Sequence, residues 1–104
     1  MDENLKKIKE IIIQTAKEMN IEIDRIILFG SRARGDYRED SDYDLLIVTK
    51  EKLDSKKKFD FWYEIYKKIP FPADIIISSK ETFEKFKESK GFIYSYAISE
   101  GIML

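Results

Sequence analysis

Asp42-Tyr43-Asp44 sets two carboxylates two residues apart at the entrance to the apolar run Leu45–Val48. Residues i and i+2 of a strand share one face, so the two acids point the same way and repel each other. A divalent cation relieves that repulsion and turns the pair into a ligand set. The plainer alternative is a solvated strand entrance, with Asp42 capping a turn. Gly30-Ser31 directly follows a second apolar run, Arg25-Ile-Ile-Leu-Phe29. Glycine at a strand end lets backbone approach a ligand closely, and N–H groups opening a helical turn can hold a phosphate. The Ser31 hydroxyl would add a donor, although an ordinary turn uses the same two residues. The third acid is Asp74, at the head of Ile75-Ile76-Ile77. If its strand neighbours that of Asp44, it is a further metal ligand or the base that takes an acceptor's proton. Otherwise it is a strand-end turn residue.

The elements that must position these groups follow from periodicity. Leu5, Ile8, Ile12 and Met19 recur at helical spacing, predicting an amphipathic helix over about residues 3–19 with Asn20 as its stop. Strands are expected over 25–29, 43–48 and 74–78, and a polar loop or short helical turn over 30–42. A second helix spans 54–69, capped by Asp54 or Ser55, with Phe59, Trp62, Tyr66 and Ile69 as its core stripe, and Pro70 and Pro72 end it. Ser78 with Glu81 forms a capping box for a last helical region that Gly91 breaks and residues 92–98 resume. The order α-β-turn-β-α-β-α predicts an α/β (α+β) architecture, a small three-stranded sheet flanked by helices.

Composition narrows the chemistry. The chain has 104 residues, which is expected to make one domain over 1–104. Neither cysteine nor histidine is present, which removes thiolate zinc sites, Cys nucleophiles and the commonest general base. Metal chemistry must rest on oxygen ligands, which favours Mg²⁺, Mn²⁺ or Ca²⁺. With 38% charged residues the net charge is still only −1, so no bulk field draws nucleic acid or anionic lipid. No apolar run is long enough to span a bilayer, and MDENLKKIKE is not a secretory signal, so no membrane association and a cytoplasmic location are expected.

Taken together, Gly30-Ser31, ten intervening residues, Asp42-x-Asp44 and a later strand acid resemble the signature of the DNA polymerase β-like nucleotidyltransferase superfamily. The run GSRARGDYREDSDYDLLIV, with ADIIIS and the ending AISEGIML, is similar more narrowly to the minimal nucleotidyltransferases that partner HEPN-domain proteins. That resemblance covers nearly the whole chain. It implies a nucleotidyltransferase fold with a mixed sheet, two Mg²⁺ ions held by Asp42 and Asp44 with Asp74 completing the site, and a triphosphate held by Gly30 and Ser31. It also implies an NTP substrate, with ATP as donor, and a HEPN partner as acceptor of AMP in a toxin–antitoxin pair. Homo- or hetero-oligomerisation would supply an acceptor surface that so short a chain lacks.

Three of the four arginines, Arg32, Arg34 and Arg38, crowd the loop beside the proposed phosphate site. A guanidinium fork suits phosphate oxygens, and Arg32 is the expected nucleotide contact; pairing with Asp36, Glu39 or Asp40 is the alternative. Asp36 and Asp40 lie off the Asp42/Asp44 register and are expected in turn or cap roles. Phe61 and Tyr63 carry aromatics beyond the expected stripe, as partly exposed packing residues or as a partner surface. Two other functions compete: an antitoxin acting by contact alone, and a nucleic-acid-tailing enzyme, which the charge and the short chain disfavour.

Overall fold

A computed structural model describes residues 3–89 and 91–104. Helix α1 (Glu3–Glu18) turns Leu5, Ile8, Ile12, Thr15 and Ala16 inward. It ends as expected: Asn20 takes a positive φ of 56°, a conformation that asparagine tolerates after a helix. Strand β1 (Ile23–Phe29) runs into the one-turn helix α2 (Ser31–Arg34). Strand β2 (Tyr43–Thr49), helix α3 (Ser55–Lys68) and strand β3 (Ala73–Ser79) follow. Helices α4 (Lys80–Phe86) and α5 (Ile93–Glu100) precede a two-residue strand, β4 (Ile102–Met103).

The sheet is mixed, with strand order β3-β2-β1-β4. β2 pairs antiparallel with β1 and parallel with β3, with α3 making the crossover. The sheet has four strands where three were expected. β4 pairs antiparallel with β1, Ile27 opposite Met103 and Leu28 opposite Ile102. Two residues carry no period of their own, so only the partner strand defines them as a strand.

Alternation along the strands sorts the core into two layers. Ile26, Leu28, Leu45, Ile47, Ile75 and Ile77 pack under α1 and α3, against Ile8, Ile12, Phe61 and Ile65. Ile27, Phe29, Leu46 and Val48 face the other way, toward Phe83 of α4 and Ala97 of α5. Each such fully buried side chain contributes about 1.5–3 kcal/mol relative to an exposed one.

Helix α3 shifts the expected stripe: Ile69 is buried and Trp62 packs against the core as expected, but the other two positions do not. Phe61 and Ile65 are the buried residues, whereas Phe59 and Tyr66 are 60% and 52% exposed. Residues 61, 65 and 69 form an apolar row as valid as 59, 62, 66 and 69. The sheet and α1 take the slimmer row; Phe59 stacks outside on Tyr63 at 6.2 Å, and Trp62, at the core's edge, stacks on the exposed Tyr66 at 5.1 Å. Asp54 caps the helix, accepting the Lys57 N–H at 2.8 Å. At α4 the cap is Ser79, whose Oγ accepts the Thr82 N–H; the expected Ser78 stays in β3 and is buried. Pairing of Ser79 with Thr49 prolongs β3 by one residue and shifts the cap accordingly.

Candidate active site

One rim of the sheet gathers the end of β1 and the starts of β2 and β3, and the expected acids lie along it. Asp44 stands opposite Phe29 in the β1 pairing and opposite Asp74 in the β3 pairing. Leu46 and Ile76, two residues further along, belong to the layer under α4 and α5, so Asp44 and Asp74 share that face. Asp42 immediately precedes β2. Asp42 and Asp74 are exposed and Asp44 is half-buried. Burial is the first cause that raises the Asp44 pKa above its ordinary value, followed by the like charges of Asp74 and Asp42. The three acids therefore sense one another, yet among the described residues no three carboxylates converge closely enough to cage an ion. Asp44 and Asp74 stand in register and Asp42 lies beside them, without closing into a cluster.

Gly30 fits this rim for a steric reason. Its φ of 75° is left-handed, and a Cβ at this position would overlap the Asp44 carboxylate. The turn that follows is tight: Gly30 O accepts from the N–H groups of Ala33 and Arg34, and Gly35 N–H donates to Ser31 O. Ser31, half-buried, is the first residue of α2. Gly30 and Asp44 are thus in direct apposition.

Arg32, the expected nucleotide contact, is engaged within its own loop. Its Nε donates to Ser41 O, and its Nη2 donates to Glu39 O and Ser41 O, at 3.0–3.2 Å. Its guanidinium lies between the rings of Tyr37 and Tyr43, 4.5 and 4.4 Å from their centroids. Carbonyls next to Asp42 and the ring inside the Asp-Tyr-Asp motif thereby capture this side chain, which ties the Gly30 turn to the acid pair. Tyr43 carries the link onward, its N–H donating to Pro72 O just before β3 and its hydroxyl accepting from Asn4.

Arg34 turns toward the rim. Its Nη1 donates to Glu100 and its Nε pairs with Asp36, yet the side chain stays 45% exposed. It is near enough to Asp44 to oppose the rise in that group's pKa. Asp36 therefore has the pairing role left open for it, and Asp40 is exposed. Glu100 escaped the sequence reading: it lies 70 residues from Gly30, and its place at the rim is set by α5 packing on β1 through Ala97 and by β4 docking beside β1. Two concavities lie away from the acids. One, of about 100 Å³, is at the far ends of β2 and β3 beside Thr49 and Ser79; the other, about 400 Å³, runs along β3 and α3 beside Phe59 and Trp62. No described helix is long and apolar enough to cross a membrane.

Comparison with known proteins places the family and the fold. Residues 6–101 match the family described as polymerase β, nucleotidyltransferase. A Methanocaldococcus jannaschii protein named "Putative protein adenylyltransferase MJ0141" is 42% identical over 76 residues, covering 69% of this chain and 76% of the relative. A solved structure described as a "putative minimal nucleotidyltransferase" superposes with a TM-score of 0.64 at 26% identity, over 100% of this chain and 97% of the other. A chain from the complex of tri-AMPylated Shewanella oneidensis HEPN toxin with MNT antitoxin shares the fold, with a TM-score of 0.57 at 13% identity, over 94% and 69% of the two chains. With the Gly30 turn, the Asp42/Asp44 pair and Asp74 gathered on one rim, this chain belongs to the polymerase β nucleotidyltransferase family.

Proposed function

We propose that this nucleotidyltransferase moves AMP from ATP to a protein acceptor, a HEPN-domain partner, at the rim formed by Gly30, Ser31, Asp42, Asp44 and Asp74. The observation that carries the reading is the register of Asp44, which faces Asp74 across one strand pair and abuts the Gly30 turn across the other. A phosphate held at the Gly30 turn and a cation held at Asp44 would thereby be neighbours. The name of the Methanocaldococcus jannaschii relative supports a protein acceptor, and the tri-AMPylated HEPN toxin found with an MNT antitoxin supports the partner.

The donor set fits Mg²⁺. It consists of hard carboxylate oxygens along one rim, and burial first, then the like charges of Asp74 and Asp42, hold Asp44 above its ordinary pKa, a stress that a bound cation would relieve; the row would have to close on the ion. Asp42 and Asp44 would hold the metal and Asp74 would complete the set. Bound there, two Mg²⁺ ions would neutralise charge at the attacking oxygen and at the leaving pyrophosphate. Gly30 and Ser31 would hold the triphosphate, and Arg34, which is more exposed than Arg32, would be the arginine that meets it. The acceptor hydroxyl oxygen bonds to the α-phosphorus as the bond to the pyrophosphate oxygen breaks, and the hydroxyl proton leaves to a carboxylate of the row. Such in-line transfer depends on positioning and charge more than on covalent catalysis, which suits a chain without His or Cys.

The test is intact-mass measurement of the HEPN partner after incubation with this protein, ATP and Mg²⁺, beside an Asp42→Asn/Asp44→Asn control. One or more AMP increments, absent with the control, are expected. If the partner gains no mass and the double variant still neutralises it, the protein acts by contact alone.

A further inference from the structure

Glu100 closes α5 and is only 22% exposed, an uncommon setting for a carboxylate with no part in the expected acid motif. Its Oε1 accepts the Gly30 N–H and Arg34 Nη1, both at 3.1 Å, and its Oε2 accepts the same Nη1 at 3.2 Å. One carboxylate thus bridges the first and last residues of the Gly30–Arg34 turn. The carrier is itself anchored. A Cβ at Gly101 would overlap Ala97 O and the Ile27 side chain, so the chain after Glu100 is pressed against β1 before β4 pairs there.

We propose that Glu100 is a positioning residue for the nucleotide: fixed at the end of the C-terminal helix, it holds the Gly30 amide and the Arg34 guanidinium as one unit, so that Arg34 is aimed at the triphosphate beside Asp44. The proposal rests on the nucleotidyltransferase reading above and adds the C-terminal segment to its site. A long arginine side chain has many rotamers, and confining it beforehand removes an ordering loss that binding would otherwise bear. Asp36 holds Nε at 3.3 Å from the solvent side, which leaves the guanidinium clasped at two points and still open. Arg34 is half open to water, so its ion pair with Glu100 contributes modestly to folding, and Gln at position 100 keeps an acceptor for the Gly30 N–H. Glu100→Gln should therefore register more in nucleotide affinity than in thermal stability.

The experiment is calorimetric titration of Mg²⁺·ATP into the intact chain, which needs no acceptor. The variants are Glu100→Gln, Arg34→Gln and the double variant, with Glu100→Asp as a charge-keeping control. Glu100→Gln retains an acceptor for the Gly30 N–H but loses the charge, and is expected to weaken ATP binding about tenfold, the size of one charged hydrogen bond. Arg34→Gln should weaken it at least as much, the double variant no further than Arg34→Gln alone, and Glu100→Asp should fall between. Unchanged or tighter binding by Glu100→Gln would overturn the proposal, tighter binding meaning that Glu100 competes with phosphate. Additive losses in the double variant would also overturn it, since Glu100 would then not act through Arg34. If the wild-type chain itself does not bind ATP, the nucleotide site is wrong, and the positioning role falls with it.

Discussion

Asp44→Asn should stabilise the metal-free protein while removing its function. Asp44 is half-buried and in register with Asp74, and paired strands lie about 5 Å apart. Two unit charges at that spacing in a mostly aqueous dielectric repel by about 1 kcal/mol. Burial and Asp42 add to this, but exposure of Asp42 and Asp74 and screening by salt subtract, so about 1 kcal/mol is the expected net gain. For a chain of this size that raises Tm by about 4–8 °C. The sign with pH follows from linkage. The folded pKa of Asp44 lies above the ordinary 3.8, so the folded state holds the proton to higher pH than the unfolded state does. The destabilisation is absent below pH 3.8, grows as pH rises toward the folded pKa, and is complete above it. The advantage of Asn should therefore be present at pH 7 and vanish in acid. Thermal unfolding of both proteins in EDTA, followed through the single Trp62 and circular dichroism, measures it. Mg²⁺·ATP at about ten times its Kd should then raise the stability of the wild type alone by about 1.4 kcal/mol. An Asn variant melting at or below the wild type in EDTA at pH 7 would refute the view that Asp44 is held under like-charge stress.

Gly30→Ala should lose transfer activity and about 1–3 kcal/mol in urea titration, because a Cβ there meets the Asp44 carboxylate in a left-handed backbone. Gly35→Ala, with φ of 92° but open space around it, should lose about 1 kcal/mol or less and keep its activity. Arg32→Lys should lower activity while leaving ATP binding within about twofold, since lysine lacks the planar fork that holds Glu39 O and Ser41 O; equal loss of both would return Arg32 to the nucleotide. Phe61→Ala should cost about 3–5 kcal/mol and Phe59→Ala within about 0.5 kcal/mol, in the order opposite to the stripe read from periodicity.

The strands, and with them the faces on which their residues stand, were legible in the sequence because alternation is a local rule, whereas Asp74 beside Asp44 was conditional on the strand order that the β2–β3 pairing supplies. Alternation put Asp44 on one face with Leu46, and an apolar run after Asp74 could only be a buried strand. Asp54 as a cap and Asn20 as a stop are equally local. What the chain could not state locally was decided by packing. Two apolar rows on α3 satisfy the same helical period, and only the shape of the surface under α1 and the sheet selects Phe61 and Ile65 over Phe59 and Tyr66. The partner of Arg32 was undetermined for a similar reason, because a flexible cation among many acceptors goes where backbone carbonyls and two rings are already assembled. β4 and Glu100 show the limit most clearly. Two residues without periodicity become a strand by pairing with β1, and that pairing, with α5 packed on β1, sets a carboxylate on an amide 70 residues away in the chain. Sequence alone determined which side chains could do the chemistry; the tertiary structure decided which of the remaining charges hold them in place, since contacts at long range have no sequence spacing to reveal them.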